Sequence, residues 1–221
     1  MGHWDRALES ANDFIAECEA GSPHTLELFV REERAGLLLA RGDRDGALGD
    51  LARVRELGEL RSDPFEHLGR LALTAALYAD LDQMDEARTL AAQIPSLVRE
   101  VGLHGTLVRL APIADELGIG DDLRDAAATA AGPAMPLWRT TIELILADEL
   151  VAAADLMASA GIPNVESILR KQAGLRLLAD GRTAEATVEL ERALTFYRLV
   201  GARAYIAEIE NALVEAQRDS A

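Results

Sequence analysis

Cysteine, lysine and aromatic side chains are all scarce in this chain, and each shortage closes off a class of reading. The single cysteine, Cys18, has no internal disulfide partner and lacks the paired spacing of a zinc site, so it reads as a small buried hydrophobe. Lys171 is the only lysine. It stands in Leu169-Arg170-Lys171-Gln172, not in the Gly-Lys-Ser or Gly-Lys-Thr turn that cradles phosphate. Positive charge is also short: 22 basic residues face 38 acidic ones, and a net charge of −16 repels polyanions, so no direct nucleic-acid contact is expected. No run approaches the roughly eighteen apolar residues of a membrane span, and no membrane association is expected. The opening Met1-Gly2-His3-Trp4-Asp5-Arg6 has neither the basic region nor the apolar core of a signal peptide, so the expected location is cytoplasmic.

With 49% apolar residues but only 4% aromatics, the core must be built from Ala, Leu, Val and Ile, a mixture that favours helices. Seven prolines and seventeen glycines are spread as punctuation with no low-complexity block, which predicts one continuous unit over residues 1–221. The preference for arginine and the abundance of alanine read as bacterial coding of high GC content.

A repeat organises the chain. Asp5-Arg6-Ala7-Leu8, Asp45-Gly46-Ala47-Leu48 and Asp85-Glu86-Ala87-Arg88 place alanines 40 residues apart, and Ala126, Ala153 and Ala186 continue the series at 39, 27 and 33. Twelve residues before these alanines, from the second unit on, stand Ala35, Ala75, Ala114, Thr141 and Gly174, and three residues further on Leu38, Tyr78, Leu117, Leu144 and Leu177. Small residues let two antiparallel helices approach closely where they cross, while the larger ones fill the flanks. This spacing resembles the tetratricopeptide repeat, although the aromatic positions of that repeat are mostly aliphatic here and the units are longer. The resemblance implies an all-α fold, a right-handed superhelix or α-solenoid of antiparallel helix pairs with about twelve helices.

The expected elements are a first helix at 4–20, pairs at 24–41/44–60, 65–81/84–100, 104–117/121–131, 136–147/149–160 and 164–180/183–200, and a C-terminal capping helix at 202–218. Gly21, Gly42, Gly102, Gly118, Gly161, Gly181 and Gly201 each follow an apolar-periodic stretch and read as helix stops. Asp63-Pro64-Phe65-Glu66 carries the elements of a helix start. The first helix reads as the second member of a pair, which predicts a fragment of a larger protein.

The segment from Arg192 through Phe196, Tyr197 and Gly201 to Ala202, with Tyr205, Glu208, Glu210 and Leu213 beyond it, is similar to the C-terminal end of large bacterial signalling proteins. Those join a class III adenylate or guanylate cyclase domain, or a LuxR-type DNA-binding domain, to an ATPase module and a tetratricopeptide-like array. The resemblance implies a sensing or docking role, with chemistry in other domains. Read from the residues alone, Phe196 and Tyr197 close the core against a terminal helix whose Arg203, Glu208 and Glu210 are solvated.

Catalytic patterns are missing. His3, His24, His67 and His104 are too scattered for a local metal motif, although the last three recur near the starts of first helices. Gly118-Ile119-Gly120-Asp121-Asp122 reads as an inter-helix turn with a carboxylate cap. Adjacent acids such as Glu32 and Glu33 do not supply two carboxylates across a cleft, and no Gly-x-Ser-x-Gly elbow presents a serine. The expectation is a non-catalytic module with no cofactor and no metal. Its first helices would line a binding surface carrying Phe29, Glu32, Leu39, Gly69, Ala72, Ala76, Ile168, Lys171, Leu175 and Leu178, open to a protein or peptide partner or to the parent protein's other domains. The alternatives are that the last helix buries these residues, and that the chain senses a small ligand for an attached cyclase or DNA-binding domain.

Overall fold

The computed structural model describes residues 4–57, 63–130 and 135–219. Among these the fold is all-α. The helices are α1 (Trp4–Glu19), α2 (Glu27–Arg41), α3 (Arg44–Leu57), α4 (Pro64–Asp80), α5 (Met84–Ala91), α6 (Ile94–Val101), the four-residue α7 (Leu107–Leu110), α8 (Gly120–Thr129), α9 (Pro136–Leu146), α10 (Leu150–Ser159), α11 (Pro163–Ala179), α12 (Thr183–Val200) and α13 (Arg203–Asp219). A 3-10 turn, Ala111–Ile113, continues α7. No helix is long and apolar enough to cross a membrane among the described residues.

The small-residue register coincides with the core. Ala47, Ala87, Ala126, Ala153 and Ala186 are at most 1% exposed, and Ala35, Ala75, Ala114, Thr141 and Gly174 opposite them are buried as well. The tightest crossing is α11 on α12. A Cβ at Gly174 would lie 2.6 Å from Leu190 Cδ2 and 3.3 Å from the Ala186 carbonyl, so only glycine fits. Ala7 departs from the register and is exposed. The covered stripe of α1 runs through Trp4, Leu8, Ala11, Ile15 and Cys18, at helical spacing, and Ala7 falls beside it.

Helix ends follow local chemistry. All seven expected glycines take positive φ. At Gly42 (φ 88°) the backbone reverses so that its N–H reaches Leu39 O and that of Asp43 reaches Leu38 O, satisfying two carbonyls a continuing helix would bond. Asp82 and Asp148 make the same left-handed turn after α4 and α9, which their short polar side chains tolerate. Asp63 accepts a hydrogen bond from Phe65 N–H (2.8 Å) ahead of Pro64, as a cap at the start of α4 should.

Prolines correct two of the expected helices. The stretch 84–100 breaks at Ala92-Gln93 into α5 and α6, with Pro95 in the first turn of the second, where its missing N–H costs nothing. The stretch 104–117 holds only α7 and the 3-10 turn around Pro112. The helix expected from 24 begins at Glu27, after a turn in which Leu26 N–H donates to His24 Nδ1 (3.1 Å). The expected carboxylate cap before α8 is absent: Ile119 holds that place, and Asp121 pairs with Arg124 (2.8 Å) instead. The expected ends at 58–60 and 131 lie outside the described residues.

Two equivalent crossings carry buried charge. Arg31, four residues before Ala35, is 4% exposed and bonds Glu27 (2.9 Å), Asp50 (3.1 Å) and Glu19 (2.7 Å); Arg34 adds a two-pronged contact to Asp50. Arg170, four residues before Gly174, is 3% exposed and bonds Glu189 (2.6 Å), Asp155 (2.6 Å) and Glu166 (3.3 Å). In both, the main acid stands three residues after the register alanine. At the corresponding places of α4 and α5 stand Leu71 and Leu90.

The last helix lies against the early ones. α13 packs on α2, α11 and α12. Arg41 of α2 donates to Val200 O (2.8 Å) and pairs with Asp5 (2.7 Å), and Trp4 meets Phe196 edge-on at 6.0 Å. Lys171 is 5% exposed, held by Glu208 (2.8 Å) and seated over the Tyr205 ring (4.5 Å). Glu208 is therefore paired, where a solvated carboxylate was expected.

Two stability measurements check the crossings by urea denaturation. Ala87→Leu overpacks the α4–α5 contact and is expected to cost about 1–3 kcal/mol; an unchanged midpoint contradicts the packing. Gly174→Ala is expected to destabilise despite alanine's better helix propensity. Gly49→Ala, in the middle of α3 with open space around its Cα, should stabilise by about 0.5–1 kcal/mol. The same sign for both glycine variants excludes the close approach at Gly174.

Candidate functional site

α4 reads Leu68 to Tyr78 as a nearly unbroken buried run, yet one of its faces is polar. His67, Arg70, Thr74 and Tyr78 follow one another at three- and four-residue spacing, so they form a single stripe along the helix. This stripe and Leu71 face α3 and α5 across a pocket of about 530 Å³, whose apolar walls include Leu51, Val54 and Leu90. Glu32 of α2 closes its inner end.

Glu32 is the unusual group. It is 1% exposed; Thr74 Oγ1 donates to its Oε1 at 3.0 Å, and Oε2 has no hydrogen-bond partner among the described residues. Burial pushes its carboxyl up to about 7, helped by Glu33 and opposed by the Thr74 bond and the Arg70 charge. A carboxyl so placed is part acid, part carboxylate at neutral pH, able to donate or accept. The His67 imidazole is held below its ordinary value by burial and by Arg70, whose Nη2 lies 3.1 Å from His67 Nδ1.

Glu32 and Arg70 also border a second hollow, of about 390 Å³, on the other side of the same wall. Here Gly69 has a definite job. The His104 ring rests on the α4 backbone at that point, and a Cβ on Gly69 would come within 2.6 Å of the ring. Thr106 Oγ1 donates to Gly69 O (3.0 Å), and the Phe65 ring packs on His104 at 4.6 Å. Burial lowers the His104 pKa, so this imidazole is neutral at pH 7. Leu26 and Phe29 stand at the mouth, 54% and 55% exposed. His24, His67 and His104, alike in sequence position, thus lie around the Glu32 wall, while His3 is outside the described residues. No group of three or more His, Cys, Asp or Glu among the described residues is placed to hold a metal ion.

The ten residues expected on one surface are distributed among several places. Phe29, Glu32 and Gly69 gather at the second hollow. Ala72 and Ala76 are core, at 0% and 3% exposure. Leu39 and Lys171 border a hollow shared with Tyr205 and Glu208, and Ile168 lines a small central cavity. Leu175 and Leu178 pack into the α12–α13 core. What the expected surface omitted was the α4 stripe, although its three-four spacing is visible in the sequence. No family model, curated protein or solved structure matches the chain.

The Glu32 environment sets a pH dependence. Between about 4.5 and 7 the folded chain keeps a proton that the unfolded chain has lost, so stability falls as pH rises through that window and stays lower above it. The size is roughly 3 kcal/mol for the shift involved. Glu32→Gln stays neutral and is expected to gain about that much on wild type between pH 4.5 and 8 in chemical denaturation. Parallel pH profiles for the two proteins contradict a protonated Glu32.

Proposed function

We propose that this chain is a non-catalytic, tetratricopeptide-like regulatory module of a bacterial multidomain signalling protein, and that the pocket between α3, α4 and α5 receives a small amphipathic ligand. The carrying observation is that Glu32 and the α4 stripe of His67, Arg70 and Thr74 line one wall of a hollow of about 530 Å³ that Leu51, Val54, Leu71 and Leu90 also line, with Arg55, Asp85, Glu86 and Thr89 among its remaining lining residues. A ligand of that kind rests its apolar body on Leu51, Val54, Leu71 and Leu90 and turns a hydrogen-bonding end toward the polar stripe. Because α2 and α4 form the wall and α3 and α5 the sides, occupancy bears on four helices at once. That is how a binding event reaches an attached output domain without chemistry of its own.

A second reading, docking of a protein partner, is favoured by Leu26 and Phe29, which expose more than half of their surface beside the second hollow.

Titration with anilinonaphthalene sulfonate tests both. Thr89 is exposed and borders the pocket, and Thr89→Trp fills it while leaving the core alone. The dye is expected to bind wild type with a blue-shifted emission, and Thr89→Trp to weaken it at least about tenfold with unchanged circular dichroism. Equal binding by both proteins contradicts the pocket. Loss in Phe29→Ser with retention in Thr89→Trp assigns the dye to the Leu26–Phe29 groove and favours the partner reading.

A further inference from the structure

A smaller cavity, separate from the pocket beside Glu32, lies where α1 and α2 meet α7, α11, α12 and α13, with a volume of about 140 Å³. Aromatic side chains are rare in this chain, nine in all, yet four of them, Trp4, Phe196, Tyr197 and Tyr205, line this one space. They are arranged as a continuous series of tilted and edge-on contacts: Trp4 to Phe196 at 6.0 Å, Phe196 to Tyr197 at 6.1 Å, and Tyr197 to Tyr205 at 5.2 Å.

Two polar groups face the same space without adequate partners. Tyr197 is 1% exposed, and its hydroxyl has no hydrogen-bond partner among the described residues. Burial holds that phenol well above its ordinary pKa, so it remains an O–H donor at any working pH. The Arg109 side chain is 23% exposed and lines the same cavity. Its guanidinium makes no hydrogen bond among the described residues. Its one ion pair, to Asp80 Oδ2, is 3.8 Å long, and that same oxygen takes the Tyr205 hydroxyl at 3.4 Å. Glu33, the other acid at the cavity, is exposed. Gly36 lies beside the guanidinium, where a Cβ would be in ordinary contact with Arg109 Nη1 at 3.5 Å.

Half-burying an arginine whose five N–H donors make no hydrogen bond among the described residues is costly, and so is burying an orphan hydroxyl. Both are donors, and both residues line a space walled by aromatic rings. A void of about 150 Å³ is large enough for a benzene ring. We propose that this cavity is a binding site for a small aromatic carboxylate, whose ring lies among Trp4, Phe196 and Tyr205 and whose carboxylate takes the Arg109 guanidinium and the Tyr197 hydroxyl. The planar fork of an arginine matches a carboxylate in two parallel hydrogen bonds, which an uncharged or cationic head group cannot form. The ligand supplies the acceptors that the chain itself withholds, and it joins helices from both ends of the described sequence.

The test is calorimetric titration of the full chain with benzoate, accompanied by thermal melts. Benzoate is expected to bind and to raise the melting temperature, while benzylammonium, of the same size and opposite charge, and inorganic phosphate, without a ring, do neither. Arg109→Gln is expected to weaken benzoate at least about tenfold. That variant removes a buried charge and is liable to disturb folding, so Tyr197→Phe is the control. It deletes a hydroxyl that bonds nothing in the free protein, and should leave the unliganded melt unchanged or raised while weakening benzoate about threefold or more. No heat and no thermal shift with benzoate up to about 10 mM overturns the proposal, because a preformed site of this kind should bind below that concentration. So does equal binding of phosphate or benzylammonium, or benzoate affinity unchanged in Tyr197→Phe and Arg109→Gln; water alone then fills the cavity.

Discussion

The close approach of successive helices at small residues is the constraint from which the rest of this fold follows. At most of these crossings a side chain of one or no carbons stands on either side, Ala35 with Ala47, Ala75 with Ala87 and Gly174 with Ala186, and Thr141 with Ala153 is the exception. At such separations the space beyond the contact is filled by leucine and tyrosine from the flanking turns, and aliphatic side chains suffice for a dense core. This explains how a chain with so few aromatics is well packed. It also explains why the aromatic residues it does have are informative, since the crossings do not need them.

Charge is distributed by the same geometry. The position four residues before the small residue of the first helix, and the one three residues after the alanine of the second, come together in three of the pairs. In the α2–α3 and α11–α12 pairs they hold Arg31 with Asp50 and Arg170 with Glu189; between α4 and α5 they hold Leu71 and Leu90. Buried ion pairs contribute little net stability once desolvation is counted, and their better-attested use is to specify partners. Each arginine here also reaches the preceding helix, Arg31 to Glu19 of α1 and Arg170 to Asp155 of α10, so one guanidinium ties three helices in a fixed register. The apolar version at α4–α5 leaves that crossing with a hollow beside it, and the pocket is found there.

Local features were legible in the sequence because they are decided locally. Glycine stops, the Asp63-Pro64 start and the period of small residues each depend on a few neighbouring positions. The breaks at Pro95 and Pro112 were equally local and were hidden by an apolar pattern that runs straight through them; the missing proline N–H outweighed the periodicity. Asp82 and Asp148 escaped for the opposite reason, since nothing but the backbone distinguishes a left-handed aspartate from a solvated one. The sites belong to a different category. Thr74 meets Glu32 across 42 residues, Lys171 meets Glu208 across 37, and Tyr205 meets Asp80 across 125. No periodicity within one helix encodes which face of a distant helix will cover it, so the ten expected surface residues divided among a groove, the core and two other hollows.

The positions where local rules are obeyed and those where they are violated fall in different parts of the molecule. Stops and most crossings are consistent with one another among the described residues, the missing cap before α8 and the exposed Ala7 apart. Against that background stand an orphan oxygen on Glu32, an orphan hydroxyl on Tyr197 and an arginine, Arg109, with only a long ion pair, besides the Nε of Arg41 at the end of α2, which has no hydrogen-bond partner among the described residues. A buried polar group left unsatisfied costs about 1–3 kcal/mol on the usual scale. Glu32, Tyr197 and Arg109 all line cavities. Among the described residues, these groups leave hydrogen-bonding capacity unused where the crossings leave none, which is the physical ground on which the proposed ligands are placed beside them.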